Sequence, residues 1–161
     1  MKKILPVVAL VLLADQATKI VVKETMTVGQ SIRILGDIFK LTHVENAGIA
    51  FGIQVASPLL FTLLSGAACV VIVYYLLSHK TEELRTQAAM AIILGGALGN
   101  LVDRILFRKV VDFLDFGFGN TRWPVFNLAD TAVVIGMALL FFYSFRQSRK
   151  AGSQEQGAET G

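Results

Sequence analysis

Two of the four aspartates in the C-terminal half of the chain, Asp112 and Asp130, stand in separate, mainly apolar surroundings. Asp130 follows Asn127 by three residues at the start of a long apolar run, so both side chains lie on one face of the helix that this run predicts. Asp112 comes earlier, between valines and a phenylalanine, beside an aromatic stretch. Asp130 has no basic partner on its own helix, and an unpaired carboxylate in such an apolar segment indicates a functional site.

Asp112 and Asp130 can perform acid–base chemistry if the fold brings them together. Two carboxyl groups a few ångströms apart at low dielectric cannot both ionise, so they share one proton. The ionised member can then take a proton from a water that attacks a peptide carbonyl, while the protonated member polarises that carbonyl. This is peptide hydrolysis without a metal. The spacing alone leaves open whether the two residues meet.

A second polar group occupies one face of a glycine-rich helical run. Its members fall at positions i, i+4, i+7 and i+8: Gly96, Asn100, Asp103 and Arg104. The small residue permits close helix packing. The amide and the guanidinium suit a substrate carbonyl or an anionic head group, and an interfacial anchor is the alternative for the last two residues.

Two further polar features precede this run. Asn46, followed by Gly48, offers a donor and an acceptor to a ligand, or else caps a turn. Asp15 and Lys19 are four residues apart with the acid first, the better orientation for an ion pair, and we interpret them as a buried structural pair. A lysine base for a serine nucleophile is the alternative, but no serine has a spacing that selects it.

The sequence predicts no metal site and no cofactor. Its two histidines, His43 and His79, fall on opposite sides of the membrane in the predicted topology. Neither Cys-x-x-Cys nor His-Glu-x-x-His occurs, and no glycine-rich phosphate loop is present. Cys69 is the single cysteine, which excludes an internal disulfide.

The composition indicates that the segments carrying these residues lie in a lipid bilayer. Of 161 residues, 54% are apolar and 17% are charged, with a mean hydropathy of +0.62; a soluble domain carries about 25% charged residues. This excludes a disordered chain, a nucleic-acid binder with a basic face and a disulfide-stapled secreted module. Four spans are predicted, at 4–22, 58–77, 88–105 and 127–145. They form one domain over 1–145, followed by a disordered cytoplasmic tail over 146–161.

The basic residues and the segments between spans predict the topology. Lys2 and Lys3 precede the first span, but no small-x-small cleavage motif follows it, so we expect the span to be retained. Inner segments hold seven lysines and arginines over 29 positions and outer segments six over 55, which favours both termini in the cytoplasm. In the outer segment 23–57, the break at Gly36 and Asp37 predicts a hairpin. The outer segment 106–126 has the aromatic residues of a membrane–water boundary.

Five motifs, taken in order, resemble those of the bacterial lipoprotein signal peptidases (signal peptidase II), a family of aspartyl peptidases. They lie at residues 15–19, 46–52, 95–104, 111–113 and 126–130 and extend over nearly the whole chain. The Gly-x-Gly-Asp motif of the presenilin-type intramembrane proteases is absent. No catalytic position departs from the family pattern.

This resemblance implies both a fold and a site. Asp112 and Asp130 are its catalytic aspartates, and Asp15 and Lys19 its buried pair. Its supporting residues fall on Asn46, Gly96, Asn100, Asp103, Arg104 and Asn127. The implied fold is mainly α and integral to the membrane, with four transmembrane helices, a small extracytoplasmic β-sheet and a short extracytoplasmic helix, which we place within residues 51–57.

The resemblance also implies a substrate and a location. The substrate is a prolipoprotein whose cysteine carries diacylglyceryl, cleaved before that cysteine at the outer face of the bacterial cytoplasmic (inner) membrane. Asn46 and Arg104 would hold its backbone or head group. The other expected partners are membrane lipids and globomycin-type inhibitors that wedge between the aspartates. We expect a monomer that binds no nucleic acid.

Two other classes of function use the same residues. A small proton- or solute-conducting membrane protein would use Asp15, Asp103 and Asp130 as a relay. A relay needs carboxylates spread across the bilayer, whereas Asp103, Asp112 and Asp130 are all predicted at the outer side. A scaffold protein would use the polar helix face for docking, which leaves Asp112 and Asp130 unexplained.

Overall fold

A computed structural model describes residues 4–50, 53–54, 58–78, 83–119 and 121–159. Its four helices are each long and apolar enough to cross a membrane. Their bounds are α1 Leu5–Thr25, α2 Pro58–Ser78, α3 Leu84–Phe107 and α4 Leu128–Glu159. The mainly helical membrane fold predicted from the sequence is confirmed. Many apolar side chains on these helices, such as Leu10, Val70 and Phe141, are exposed as they would be to lipid.

Helix α3 packs against the other three helices, and its glycines allow the close approach. A Cβ on Gly99 would lie 2.5 Å from Asp15 Oδ2 on α1, and one on Gly96 would collide with the carbonyl oxygen of Ala129 on α4. The contacts also give the directions of the helices. Helix α1 is parallel to α3, whereas α2 and α4 are antiparallel to it, so α1 and α3 end where α2 and α4 begin.

A four-stranded antiparallel sheet lies at that end of the helices. Its strands follow the order β1-β2-β5-β6, and a separate two-stranded hairpin pairs β3 with β4. The bounds are β1 Ser31–Leu35, β2 Phe39–Asn46, β3 Ile49–Ala50, β4 Ile53–Gln54, β5 Val110–Phe118 and β6 Thr121–Arg122. The predicted hairpin is confirmed as β1–β2, with Gly36 at φ 52° in its turn. Val22 of α1 and Met26, the residue that follows this helix, pack on Val111 and Phe113 of β5, which attaches the sheet to the helices.

The C-terminal segment differs from its predicted structure, and the predicted short outer helix falls mostly on residues that the structure does not describe. Helix α4 continues through Glu159, where the composition predicts a disordered tail over 146–161. Alanine, glutamine and glutamate there favour helix, and extending an existing helix avoids the cost of nucleation. Of residues 51–57, where a short helix is expected, only 53–54 are described, as strand β4, and the rest lies outside the described residues.

Candidate active site

Asp112 enters the site from strand β5 and is buried. Strand pairing sets it opposite Val44 of β2, close to Asn46 at the end of that strand. Asn46 Nδ2 donates to Asp112 Oδ2 at 3.1 Å, and Asn127 Nδ2 donates to Asp112 Oδ1 at 2.7 Å. Both carboxyl oxygens therefore have an amide donor from another element.

Asp130 enters from the first turn of α4, where it forms a capping box with Asn127. Asn127 is the N-cap residue, and its Oδ1 accepts the Asp130 backbone N–H at 2.9 Å. Asp130 Oδ2 in turn accepts the Asn127 backbone N–H at 3.2 Å. Asn100 Nδ2 of α3 donates to the other oxygen, Oδ1, at 2.7 Å. The cap thus fixes the depth and direction of the Asp130 carboxyl group.

Asn127 joins the two aspartates, which are 18 positions apart in the chain. Its side chain is fully buried, and its Nδ2 donates to Asp112 Oδ1 and to Asn100 Oδ1, the latter at 3.1 Å. Its backbone N–H donates to the Asp130 carboxyl group. Burial, together with the negative charge of Asp130, raises the pKa of Asp112 to about 7, although the hydrogen bonds from Asn46 and Asn127 act to lower it. The proton of Asp112 is therefore exchangeable near neutral pH.

The buried pair of Asp15 and Lys19 is part of a larger polar cluster. Lys19 Nζ lies 2.8 Å from Asp15 Oδ2 and 2.9 Å from Asp103 Oδ2. It also donates to Asn100 Oδ1 at 2.9 Å. The sequence singles out this pair correctly but leaves out Gln16, whose Nε2 donates to Asp103 Oδ1 at 3.0 Å. Only the tertiary packing of α1 on α3 identifies these additional contacts.

The polar face of α3 is divided between two neighbouring helices. Asp103 is buried towards α1, where it meets Lys19, so it does not emerge at the outer surface as its helical position suggests. Arg104 turns towards α2 and donates to Ser65 Oγ at 3.2 Å and to the carbonyl oxygen of Asn100 at 3.3 Å. Ser65 is a contact that the sequence gives no signal for.

The remaining predicted residues have clear places. Gly96 lies in the α3–α4 interface and serves packing. Asn46 caps a turn, through its Oδ1 and the Gly48 N–H at 3.0 Å, and its Nδ2 faces Asp112, whereas a contact with a ligand stays a prediction. His43 is buried with Nδ1 at 2.9 Å from the Met26 carbonyl oxygen, away from the aspartates, and His79 lies outside the described residues.

Arg104 also lines a cavity of about 180 Å³ at the end of α2 and α3 nearer the sheet. Its other lining residues are Leu59, Thr62, Ile105 and Arg108. Leu59 and Ile105 are largely exposed on the helix surfaces that face lipid. Arg104 is within electrostatic range of Asp130 and Asp112. The cavity thus combines apolar walls with cationic groups near the two carboxyl groups.

The carboxyl groups do not form a series across the membrane. Asp15 and Asp103 meet at Lys19, and Asn100 links Lys19 to Asp130. All lie in the halves of α1, α3 and α4 nearer the sheet, or at the middle of α1. This arrangement gives one compact site and does not favour a relay.

Comparison with known proteins identifies relatives over most of the chain. Residues 7–146 match the family model described as signal peptidase (SPase) II. A lipoprotein signal peptidase from Halothermothrix orenii is 45% identical, over 89% of this chain and 95% of that protein. One from Paraburkholderia phymatum is 43% identical, over 91% and 90%.

Solved structures give the same result for the fold. A bacterial membrane enzyme determined by the in meso method superposes with a TM-score of 0.82 at 28% identity, covering 92% of this chain and 90% of that chain. A second structure of the same description gives 0.80 at 29% identity, with coverages of 89% and 92%.

Proposed function

Since this chain belongs to the signal peptidase II family and is therefore a membrane-embedded peptidase, we propose that it removes the signal peptide from diacylglyceryl-modified prolipoproteins. Cleavage falls before the lipid-bearing cysteine. The main support for this proposal is that Asn127 donates hydrogen bonds to the carboxyl groups of both Asp112 and Asp130. Relatives named lipoprotein signal peptidase support the choice of substrate.

The two aspartates take different roles in the proposed mechanism. Asp112, with its pKa near 7, carries the shared proton and donates it to the scissile carbonyl oxygen. Asp130 is the carboxylate, because it lies in the first turn of α4, where the N-terminus of the helix favours a negative charge, and it takes a proton from the attacking water. The proton then passes to the leaving amine as the carbon–nitrogen bond breaks, and Asp112 regains its own.

The depth of the site matches a substrate held by acyl chains. Asp130 is the third residue of α4, about 3 Å along the axis from its first residue at the helical rise. A cysteine anchored by diacylglyceryl reaches this boundary depth. The basic residues favour the sheet end as the extracytoplasmic side and the cytoplasmic (inner) membrane as the location, with both termini inside.

Arg104 and its cavity are proposed to hold the substrate beside the aspartates. We expect Arg104→Ala to raise KM about tenfold or more, because a charge-assisted hydrogen bond to the substrate is lost, while kcat changes less. Steady-state cleavage in detergent or nanodiscs measures both constants. Arg33→Ala, which removes an exposed arginine that pairs with Asp37 on the sheet, is the control. A stable Arg104→Ala protein with wild-type KM would contradict this role.

Activity is expected to fall as pH rises through about 7. Asp112 must be protonated to act as the acid, and its pKa, raised to about 7 from 3.8, keeps it so below neutrality. At pH 8 about one tenth remains protonated, so single-turnover cleavage should be roughly tenfold slower than on the plateau. A rate that stays constant from pH 6 to pH 9 is incompatible with this assignment.

The direct test uses the purified protein and a diacylglyceryl-modified precursor. Release of the signal peptide is followed by mass spectrometry, with the unmodified precursor as the control substrate. We expect cleavage before the modified cysteine, and inhibition by globomycin, which we propose inserts between the two aspartates. Cleavage at another bond, or equal cleavage of the unmodified precursor, would refute the proposed specificity.

A further inference from the structure

Lys19 is a buried cation with three hydrogen-bonding or ionic contacts on two helices. It is 2% exposed. Asp15 and Asp103 hold its ammonium group from α1 and α3, at 2.8 Å and 2.9 Å. The third contact is a hydrogen bond of 2.9 Å to Asn100 Oδ1, a neutral group that does not belong to the ion pair.

The contact with Lys19 determines the orientation of the Asn100 amide. An ammonium group has donors only, so the Asn100 atom facing it is the carbonyl oxygen. Asn127 Nδ2 points at the same oxygen, at 3.1 Å. The NH₂ group of Asn100 is therefore directed at Asp130 Oδ1, 2.7 Å away. If the Asn100 amide were reversed, its NH₂ group would face two other donors, Lys19 Nζ and Asn127 Nδ2.

We infer that Lys19 is a positioning residue for Asp130 and acts through Asn100. Its positive charge polarises the Asn100 amide and so strengthens the N–H donor to Asp130, which favours the ionised carboxylate. Lys19 is too far along this chain of contacts to touch the substrate. The inference rests on the proposed function, in which Asp130 is the base.

The charge balance of the site supports this role. The groups that face it from the packed elements are Asp15 and Lys19 on α1, Asp103 and Arg104 on α3, Asp112 on β5 and Asp130 on α4. Four acids thus share two cations. Asp15 and Asp103 hold Lys19 in place, and Asn100 transmits its influence to Asp130.

The inference is tested by Lys19→Met, which keeps length and removes charge. We expect kcat to fall at least about tenfold with KM nearly unchanged, and the acidic limb of the pH–kcat profile to move to higher pH. Lys19→Arg, which keeps the charge, should restore part of kcat. Asp115→Asn is the control, because it breaks another buried ion pair, the one with Arg122 on the sheet, and leaves Lys19 and Asn100 unchanged. It should lower Tm without moving the profile.

A second variant keeps the test decisive if Lys19→Met does not fold. Lys19→Met combined with Asp103→Asn removes one charge of each sign, and its reference is Asp103→Asn alone. A folded double variant with the pH profile of its reference overturns the inference. If the wild-type protein cleaves the lipid-modified precursor in the same experiment, only the positioning role of Lys19 is refuted. If the wild-type protein leaves this precursor intact, the proposed function itself is refuted.

Discussion

Asparagine in place of Asp130 will lower the rate of precursor cleavage by at least about 10³-fold, and asparagine in place of Asp112 will do the same. Both changes keep the size of the side chain and part of its hydrogen bonding but remove the titratable proton. Asp130→Asn loses the base that activates water, and Asp112→Asn loses the acid that protonates the carbonyl. The measurement is single-turnover cleavage of a diacylglyceryl-modified precursor.

Asp115→Asn is the matched control for these two variants. Asp115 lies on the same strand as Asp112 and is equally buried, but it pairs with Arg122 and accepts from Thr42 Oγ1 at 2.6 Å. Its loss should cost stability and leave the chemical step intact. If Asp112→Asn or Asp130→Asn cleaved at the wild-type rate, the peptidase mechanism built on the pair would have to be abandoned.

Alanine in place of Gly96 should abolish most activity without touching a polar group of the site. Its Cβ would meet the carbonyl oxygen of Ala129 on α4 and lie 3.0 Å from Val133 Cγ2, so α4 must move. Overpacking of this kind costs about 1–3 kcal/mol. Asp130 is the residue after Ala129 and would move with it, and a displacement of about 1 Å at a reacting group can cost about 10²-fold in rate.

Gly66→Ala on α2 separates this steric effect from the general effect of alanine in a helix. A Cβ at Gly66 has no neighbour within 4 Å. This variant should be at least as stable as the wild type, because alanine favours helix by about 1 kcal/mol over glycine. Tm and cleavage rate are measured for both variants. Equal behaviour of Gly96→Ala and Gly66→Ala would contradict a dependence of the site on the α3–α4 distance.

The helices and the separate clusters could be read from the sequence because each depends on local pattern. Apolar length gives the four spans, and the Asn-x-x-Asp spacing at 127 and 130 is itself a signature of a helix N-terminus. Gly36 and Asp37 interrupt two β-like runs and so predict the hairpin β1–β2. In each case residues close in sequence determine the structure.

The connections between clusters were beyond the sequence because they depend on packing. Strand β5 belongs to the sheet only through its pairing with β2, and that pairing brings Asp112 to Asn46. The helical position of Asp103 beside Arg104 did not reveal that the two side chains turn to different helices. Gln16 gained its role only from the approach of α1 to α3.

Asn127 has no N–H donor left to offer a visiting peptide. Both hydrogens of its amide are committed, one to Asp112 and one to Asn100, and its oxygen accepts the Asp130 N–H. All its hydrogen-bond donors are engaged in the resting protein. Asn127 therefore serves as a fixed support for the two aspartates, and hydrogen bonds to the substrate backbone must be donated by other side chains.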